Sequence, residues 1–227
     1  MTVVSFPTDF TVYDGRHHVL GASMLAAMFD GFRGVAGLPA DGVLKIKRAK
    51  FVSKTGSNGT IFLSADAETP PQDDTVAATL VGSFDSQAVT GWFIPDAERA
   101  VVRDMPSANR MTDLVPEDDF GGQCLIEADG IEPLLRCAVD ANKHLQLRGH
   151  GVAERFGSDT PVTELVYWEG GEISSESVPF KGRLLARNLA MRFDQGRLFT
   201  LNGISLLPEG RAAPMEFRMA LSFHERA

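Results

Sequence analysis

The sequence of 227 residues is poor in cysteine and has no long apolar run. Its two cysteines, Cys124 and Cys137, form no Cys-x-x-Cys pair, which argues against a zinc or redox site. No stretch approaches the roughly 20 apolar residues that a membrane-spanning helix needs. The N-terminus lacks a basic region followed by an apolar run, so no signal peptide is expected. These absences predict a cytoplasmic protein with reduced thiols, in which Cys137 is a small core residue.

Positive charge is also scarce, because 22 Lys and Arg stand against 30 Asp and Glu, for a formal net charge of −8. A general nucleic-acid binder needs a basic face to neutralise phosphate, so we expect no nucleic-acid partner. An anionic membrane surface is disfavoured for the same reason. No cluster of His, Asp and Glu has the spacing of metal ligands, and we predict neither a metal nor another bound cofactor.

The two halves of the sequence repeat one order of predicted elements, in which an amphipathic helix is followed by several strands. In the first half a short strand over residues 10–13 precedes apolar residues that recur at helical spacing over 22–36. In the second half, Asp129 and Glu132 have the spacing of a capping box that starts a helix continuing to Leu145. Predicted strands follow each helix, over residues 43–52, 60–67, 76–84 and 88–94, and over 164–168, 171–175, 184–193, 197–206 and 216–224.

This order predicts an α+β fold of two units, each with one long helix packed on a curved antiparallel sheet. One helix on one sheet buries the apolar faces of both. The first unit is predicted over residues 1–95 and the second over 124–227. Residues 96–123 are rich in charge, proline and glycine and are predicted to connect the units, with some structure of their own.

The pattern resembles the hotdog superfamily, in which a sheet wraps a long helix. Residues 13–22, Tyr-Asp-Gly-Arg-His-His-Val-Leu-Gly-Ala, are similar to the Asp-x-x-x-His-Val sequence that leads into the helix of hotdog thioesterases. Residues 44–52, Leu-Lys-Ile-Lys-Arg-Ala-Lys-Phe-Val, are similar to the strand that follows that helix. Two copies in one chain resemble the double-hotdog arrangement of some acyl-CoA thioesterases and acyl-thioester dehydratases.

The resemblance is closer to a thioesterase than to a dehydratase. No Pro-Gly follows His18, and the positions one turn into the helix are the apolar Leu25 and Ala26, where a dehydratase has an acid. A dehydratase would therefore need its acid from the second half. Asp30 stands where thioesterases tend to place a carboxylate, about a dozen residues after the histidine.

These residues define a candidate site at the start of the first helix. The resemblance assigns His18 and Asp30 to catalysis, and the neighbouring His17 is predicted to bind substrate. Amides of Gly21 and Ala22 at the helix start would polarise the thioester carbonyl. The alternatives are plainer, because a histidine in a turn can simply bond the backbone, and Asp30 can be a solvated partner of Arg33.

Asn142 is the third predicted catalytic residue. Helical spacing places it near the middle of the apolar face of the second helix, where its amide must find partners. It either binds a substrate carbonyl or water, or satisfies the backbone of a neighbouring strand or loop. Asp140 and His144 fall on the opposite face, and their spacing favours a solvated pair over a catalytic dyad.

The resulting hypothesis is an acyl-thioester hydrolase that acts on acyl-CoA or on an acyl carrier protein. The basic residues Lys45, Lys47, Arg48 and Lys50 could hold the phosphates of the carrier arm, although they could equally be a solvated strand face. The alternatives are a 3-hydroxyacyl-thioester dehydratase, a catalytically silent acyl-binding protein, and a structural module. Single hotdogs usually dimerise, so the resemblance leaves a monomer or a homodimer open.

Overall fold

The structure is a computed structural model that describes residues 3–13, 20–52, 55–66, 69–72, 74–101, 103–105, 110–118, 120–148, 152, 156, 162–210 and 213–225. Its elements, in chain order, are β1 (Val3–Thr8), β2 (Thr11–Tyr13), α1 (Gly21–Phe32), β3 (Leu44–Phe51), β4 (Ser57–Ser64), β5 (Ala78–Phe84), β6 (Gln87–Ala100), β7 (Arg103–Met105), β8 (Arg110–Pro116), β9 (Gly122–Ala128), α2 (Ile131–Arg148), β10 (Val162–Gly170), β11 (Glu172–Ile173), β12 (Phe180–Asp194), β13 (Arg197–Pro208) and β14 (Met215–His224).

The chain forms two compact units. Unit 1 contains residues 1–108 and 170–177, and unit 2 contains residues 109–169 and 178–227. The segment 96–123 carries the end of β6, all of β7 and β8, and the start of β9. It therefore contributes strands to both units, which is more structure than its charge and proline content suggested.

Unit 1 is built on a sheet with the strand order β1-β4-β6-β5-β3-β11, in which neighbouring strands are antiparallel. The strands β2 and β7 form a separate parallel pair. Helix α1 packs on β3, β4, β5 and β6. Its aromatic side chains fill the core, where the Phe29 and Phe32 rings lie 6.3 Å and 6.0 Å from the Phe84 ring.

Unit 2 has the strand order β10-β14-β13-β12-β9-β8, with antiparallel pairing from β14 to β8. Helix α2 packs on β8, β9 and β12. The β12–β13 hairpin turns through Gln195 and Gly196, which both have positive φ, at 48° and 76°. Two central residues of this kind make the turn that matches the twist of the strands, as the Asp-Gln-Gly signal predicted.

The α+β class and the long helix that packs on the sheet of each unit, α1 and α2, confirm the fold prediction. Both helices are buried around most of their circumference. The capping-box prediction was wrong by one residue, because the Gly130 carbonyl accepts the first intrahelical bond, from Leu134 N–H at 2.9 Å, so Gly130 is the N-cap. Sequence periodicity missed β8, whose side chains are mostly exposed and therefore do not alternate.

No helix within the described part of the chain is both long and apolar enough to cross a membrane.

Close packing of α1 on its sheet generates the first prediction. A Cβ added at Gly31 would overlap the tip of the Phe6 ring and would lie 2.7 Å from Leu63 Cδ1. Gly31→Ala gains about 1 kcal/mol of helix propensity but overpacks the core, which typically costs about 1–3 kcal/mol. We expect a net loss of stability, read as a lower denaturation midpoint in urea.

The control is Gly34→Ala, just beyond the end of α1, since a Cβ at Gly34 meets nothing closer than the Gly31 carbonyl oxygen at 3.5 Å. It reports the effect of a Gly→Ala change on the unfolded chain without the overlap. Equal stability changes for the two variants would contradict the close approach of α1 to β1 and β4.

Candidate active site

Helix α1 starts at the predicted position. Leu20 is its N-cap, with extended backbone at φ −78° and ψ 142°, and has no side-chain capping bond. The Phe51 ring packs directly on Gly21, where an added Cβ would lie 2.8 Å from Phe51 Cδ1. The first amides of a helix have no intrahelical acceptor, so this end of α1 offers donors to a bound anion or polarised carbonyl.

The predicted substrate-binding residues Gly21 and Ala22 are thus the first two residues of α1, and Ala22 is buried. His17 and His18 lie outside the described residues. Their roles stay predictions, which rest on their place three and four residues before the first helical residue.

Asp30 lies far from the start of the helix. Asp30 comes nine positions after Gly21, which corresponds to about 14 Å along the helix axis. Its side chain is 67% exposed, and Oδ1 lies 3.8 Å from Nη1 of Arg33. The structure therefore does not bring the Asp30 carboxylate to the amides of Gly21 and Ala22. It shows the ion pair that the plainer interpretation expected, and a catalytic role stays a prediction.

Asn142 is fully buried in unit 2. It belongs to a hydrogen-bonded chain of side-chain amides, called the amide chain below, that links Asn188, Asn202, Asn142 and Gln146. Its Oδ1 accepts hydrogen bonds from Gln146 Nε2 at 3.0 Å and from Asn202 Nδ2 at 2.8 Å. Its Nδ2 donates a weaker bond to the Met219 sulfur at 3.4 Å. The carbonyl oxygen of Asn142 is thus engaged twice within unit 2. Asn202 of β13 thus bonds the Asn142 side chain, and a catalytic role for Asn142 stays a prediction.

Two backbone carbonyls fix the direction of this amide chain. Asn202 Nδ2 also donates to Phe120 O at 2.7 Å, and a carbonyl can only accept. Asn188 Nδ2 donates to Asn202 Oδ1 at 3.0 Å and to Ala190 O at 3.3 Å. Reversing any of these amides would place two donors or two acceptors face to face, so Asn142 must present oxygen to its neighbours.

The interpretation of Asp140 as a solvated residue was wrong. Asp140 is only 6% exposed, and Arg136, one turn earlier on α2, is buried as well. Helical spacing places Arg136 and Asp140 on the side of α2 opposite its apolar face, and the prediction took that side to be in contact with water. The structure shows that this side of α2 is buried as well. The sequence did contain a signal of this burial. Arg136 and Asp140 have opposite charges, lie four residues apart and stand among the apolar residues Leu135, Cys137 and Ala138.

The two thiols are free and buried, as predicted for Cys137. Burial, reinforced by the nearby Cys137, raises the pKa of Cys124 to about 12. Burial also raises the pKa of Cys137, whose thiol lies 3.9 Å from Glu127 O. Neither forms a thiolate near neutral pH, which argues against a cysteine nucleophile.

A bulge concentrates basic residues on one face of β3. Ile46 and Arg48 pair with the adjacent residues Gly82 and Val81 of β5, so Lys47 is an extra residue in β3. Its insertion leaves all four basic residues of the strand exposed: Lys45, Lys47, Arg48 and Lys50. β5, the neighbouring strand, has no acidic residue, and the one described ion pair of the group joins Lys45 to Glu172 at 2.8 Å.

Solved structures share this architecture over nearly the whole chain. A conserved protein of unknown function with a hot dog fold from Alicyclobacillus acidocaldarius is 9% identical, with a TM-score of 0.53 over 99% of this chain and 94% of that one. The fold is the hotdog fold.

Two other hotdog structures are about equally similar. The tesB protein of Mycobacterium avium subsp. paratuberculosis is 9% identical, with a TM-score of 0.53 over 96% of this chain and 92% of that one. The dehydratase domain of the polyketide PpsC from Mycobacterium tuberculosis is 9% identical, with a TM-score of 0.50 over 99% and 93%. No protein-family model and no curated protein sequence matches the chain.

The fixed direction of the amide chain makes a prediction about pH. Gln146→Glu replaces the nitrogen that donates to Asn142 Oδ1, and a buried Glu can replace that donor only when it is protonated. Its folded-state pKa should rise above the unfolded value of about 4.3. The variant should therefore approach wild-type stability in acid and lose stability as the pH rises through the folded pKa.

The measurement is the unfolding free energy of the variant relative to wild type, by urea titration at pH 5 and pH 8. Gln72→Glu, at an exposed loop position, is the control and should show no such difference. A Gln146→Glu variant that is equally stable relative to wild type at both pH values would refute the assigned direction.

Proposed function

We propose that the protein is an acyl-thioester hydrolase that accepts acyl chains carried by coenzyme A or by an acyl carrier protein. The observation that carries the proposal is the start of α1. In this hotdog fold the uncapped amides of Gly21 and Ala22 follow directly on the segment that contains His17 and His18.

The chemistry at this helix end is acyl transfer to water. The amides of Gly21 and Ala22 donate hydrogen bonds to the thioester oxygen and stabilise the negative charge that develops on it when water attacks. His18 removes the proton from that water, because an imidazole is partly neutral at physiological pH. When the tetrahedral intermediate collapses, the C–S bond breaks and the imidazolium of His18 returns the proton to the departing sulfur of the carrier. Water is the nucleophile, so no covalent intermediate with the protein forms. Phe51, packed on Gly21, holds the helix end in place.

The exposed basic face of β3 supports binding of the carrier. Coenzyme A and the phosphopantetheine arm of a carrier protein both contain phosphate, which Lys and Arg bind by charge-assisted hydrogen bonds. Lys47 and Arg48 are the two residues that the bulge places side by side on this face. They form no ion pair within the described residues, so they remain able to bind phosphate.

A dehydratase is the second candidate, and the burial of Asp140 favours it. Dehydration of a 3-hydroxyacyl thioester needs an acid to protonate the departing hydroxyl, besides a base for the α-carbon. The sequence required that acid to come from the second half, and Asp140 is a buried carboxylate on α2 of unit 2. The product distinguishes the reactions: hydrolysis gives a free acid and thiol, whereas dehydration gives an enoyl thioester and water.

The test of the proposed function is a panel of saturated and 3-hydroxyacyl-CoA thioesters, with products identified by mass spectrometry. Wild type should release free acid and coenzyme A. His18→Ala should lower kcat by about 10²-fold or more at unchanged melting temperature, since it removes the general base. His144→Ala, at a half-buried α2 position outside the proposed machinery, is the matched histidine control.

The same assay assigns the other predicted residues. Asp30 belongs to the catalytic machinery if Asp30→Asn lowers kcat at unchanged melting temperature. Asn142→Ala removes the acceptor of two buried hydrogen bonds and should lower the melting temperature, so it is assayed well below its own melting temperature, where a lower kcat assigns Asn142 to the machinery. If the protein forms enoyl-CoA and Asp140→Asn abolishes this product, the protein is a dehydratase and the proposed hydrolase function is wrong. Thermal stabilisation of wild type by acyl-CoA without turnover would instead identify an acyl-binding protein.

The basic face has a prediction of its own. Exposed ion pairs each contribute a fraction of a kcal/mol, so Lys47→Ala with Arg48→Ala should raise KM for acyl-CoA by roughly two- to tenfold and leave kcat unchanged. The effect should vanish at high salt and with acyl-N-acetylcysteamine, which lacks phosphate. Arg110→Ala, an exposed residue of unit 2, is the control. A similar rise in KM for both substrates would exclude phosphate binding by β3.

A further inference from the structure

Several buried polar atoms of unit 2 have no hydrogen-bond partner among the described residues. Two of these atoms are Oε1 of Gln146 on α2 and Oγ1 of Thr200 on β13. The first residue is fully buried and the second is 1% exposed. Leaving such groups unpaired away from water is costly, so native proteins usually satisfy them with an ordered water or a ligand.

Topology places the two atoms on the same side of the amide chain. Helix α2 begins just after Ala128, which pairs with Phe180 at the start of β12. It reaches Asn202, the register partner of Asn188, so α2 runs towards the β12–β13 turn. Gln146 lies one helical turn beyond Asn142 in this direction.

Thr200 lies two residues beyond Asn202 on β13, in the same direction and on the same face of the strand. Both displacements are on the order of 6–7 Å, by the rise of a helix and of a strand. Gln146 and Thr200 therefore flank one region between α2 and β13.

The direction of the amide chain decides what can fill this region. Because Gln146 Nε2 must face Asn142 Oδ1, its Oε1 must face away from Asn142. This oxygen can only accept, so its partner has to donate a hydrogen bond. The Thr200 hydroxyl both donates and accepts, and a hydroxyl group satisfies both residues at once.

Near the β12–β13 turn, the face of the hairpin that carries Thr200 becomes exposed to solvent. Met191 pairs directly with Thr200, and Phe193 pairs with Leu198, so all four side chains share one face of the hairpin. Met191 and Phe193 are 51% and 54% exposed. Apolar surface thus continues from the buried hydroxyl of Thr200 to solvent, and an acyl chain could lie on it.

We propose that unit 2 holds a hydroxyl group between Gln146 Oε1 and Thr200 Oγ1, donated by an ordered water or by the hydroxyl of a bound acyl chain. The water completes the amide chain in the free protein. A chain that lies along Met191 and Phe193 and bears a hydroxyl at the right depth displaces it.

The first test is the sign of one stability change. Thr200→Val keeps the shape of the side chain and removes the hydroxyl. If a water bridges the two groups, it loses a partner, and the melting temperature should fall by about 2–4 °C relative to wild type. If the region is dry, the substitution removes an unsatisfied hydroxyl, and the melting temperature should stay or rise, which would overturn the proposal.

Thr112→Val, at an exposed position of β8, is the matched control for the β-propensity of the substitution. A crystal structure of the free protein gives the second, direct readout. It should show a water within about 3.2 Å of Gln146 Oε1. An empty region would overturn the proposal whatever the stability data show. Neither readout involves turnover, so both are independent of the proposed enzyme activity.

Ligand binding then distinguishes the two sources of the hydroxyl. Isothermal titration compares 3-hydroxyacyl-CoA with acyl-CoA of the same length, for wild type and for Thr200→Val. A preference for the hydroxylated chain that disappears in the variant identifies the acyl hydroxyl as the occupant. Equal affinities in both proteins, together with the bound water, identify water alone.

Discussion

Burial around most of their circumference is the constraint that governs the long helices α1 and α2. A helix with one exposed face can turn its polar side chains to water, but a helix enclosed by its surroundings cannot. Every polar group on such a helix needs an internal partner or incurs the cost of desolvation. The amide chain of Asn142, Gln146 and Asn202 and the buried position of Asp140 follow directly from this constraint.

The backbone gives the amide chain a direction that side chains alone would leave open. An isolated pair of amides can exchange donor and acceptor by rotating both groups. Here the carbonyls of Phe120 and Ala190 accept from Asn202 and Asn188, and these two bonds set the orientation of Asn142 and then of Gln146. A polar network whose members are all fixed makes one arrangement of the core much more favourable than its alternatives.

Periodicity and turn chemistry predicted much of the fold from the sequence. Apolar spacing located α1 and α2, and β-branched residues located most strands. The Asp194-Gln195-Gly196 turn was predictable because its central residues must adopt positive φ. Strands β1, β7, β8 and β9 were missed. None of the side chains of β8 is buried, so no buried face imposes alternation on it, whereas the side chains of β1 and β9 alternate in burial and were not recognised as strands.

The candidate site was less predictable because its features depend on tertiary contacts. The start of α1 at Gly21 followed from the sequence, but the Phe51 ring that packs on this glycine did not. Asn142 stood out as an amide on an apolar face, yet its partner Asn202 lies 60 residues away in sequence. Asp140 was assigned to solvent because helical spacing identifies the apolar face and says nothing of what covers the opposite one.

Native-state hydrogen exchange of α2 tests the central constraint most directly. If the helix is enclosed and its polar groups are held by the amide chain, amides from Leu135 to Gln146 should exchange only through global unfolding, with the free energy measured by denaturant. They should then match the most protected amides of β12 and β13. Exchange of this stretch at a clearly lower free energy would show that α2 opens on its own and would contradict the account.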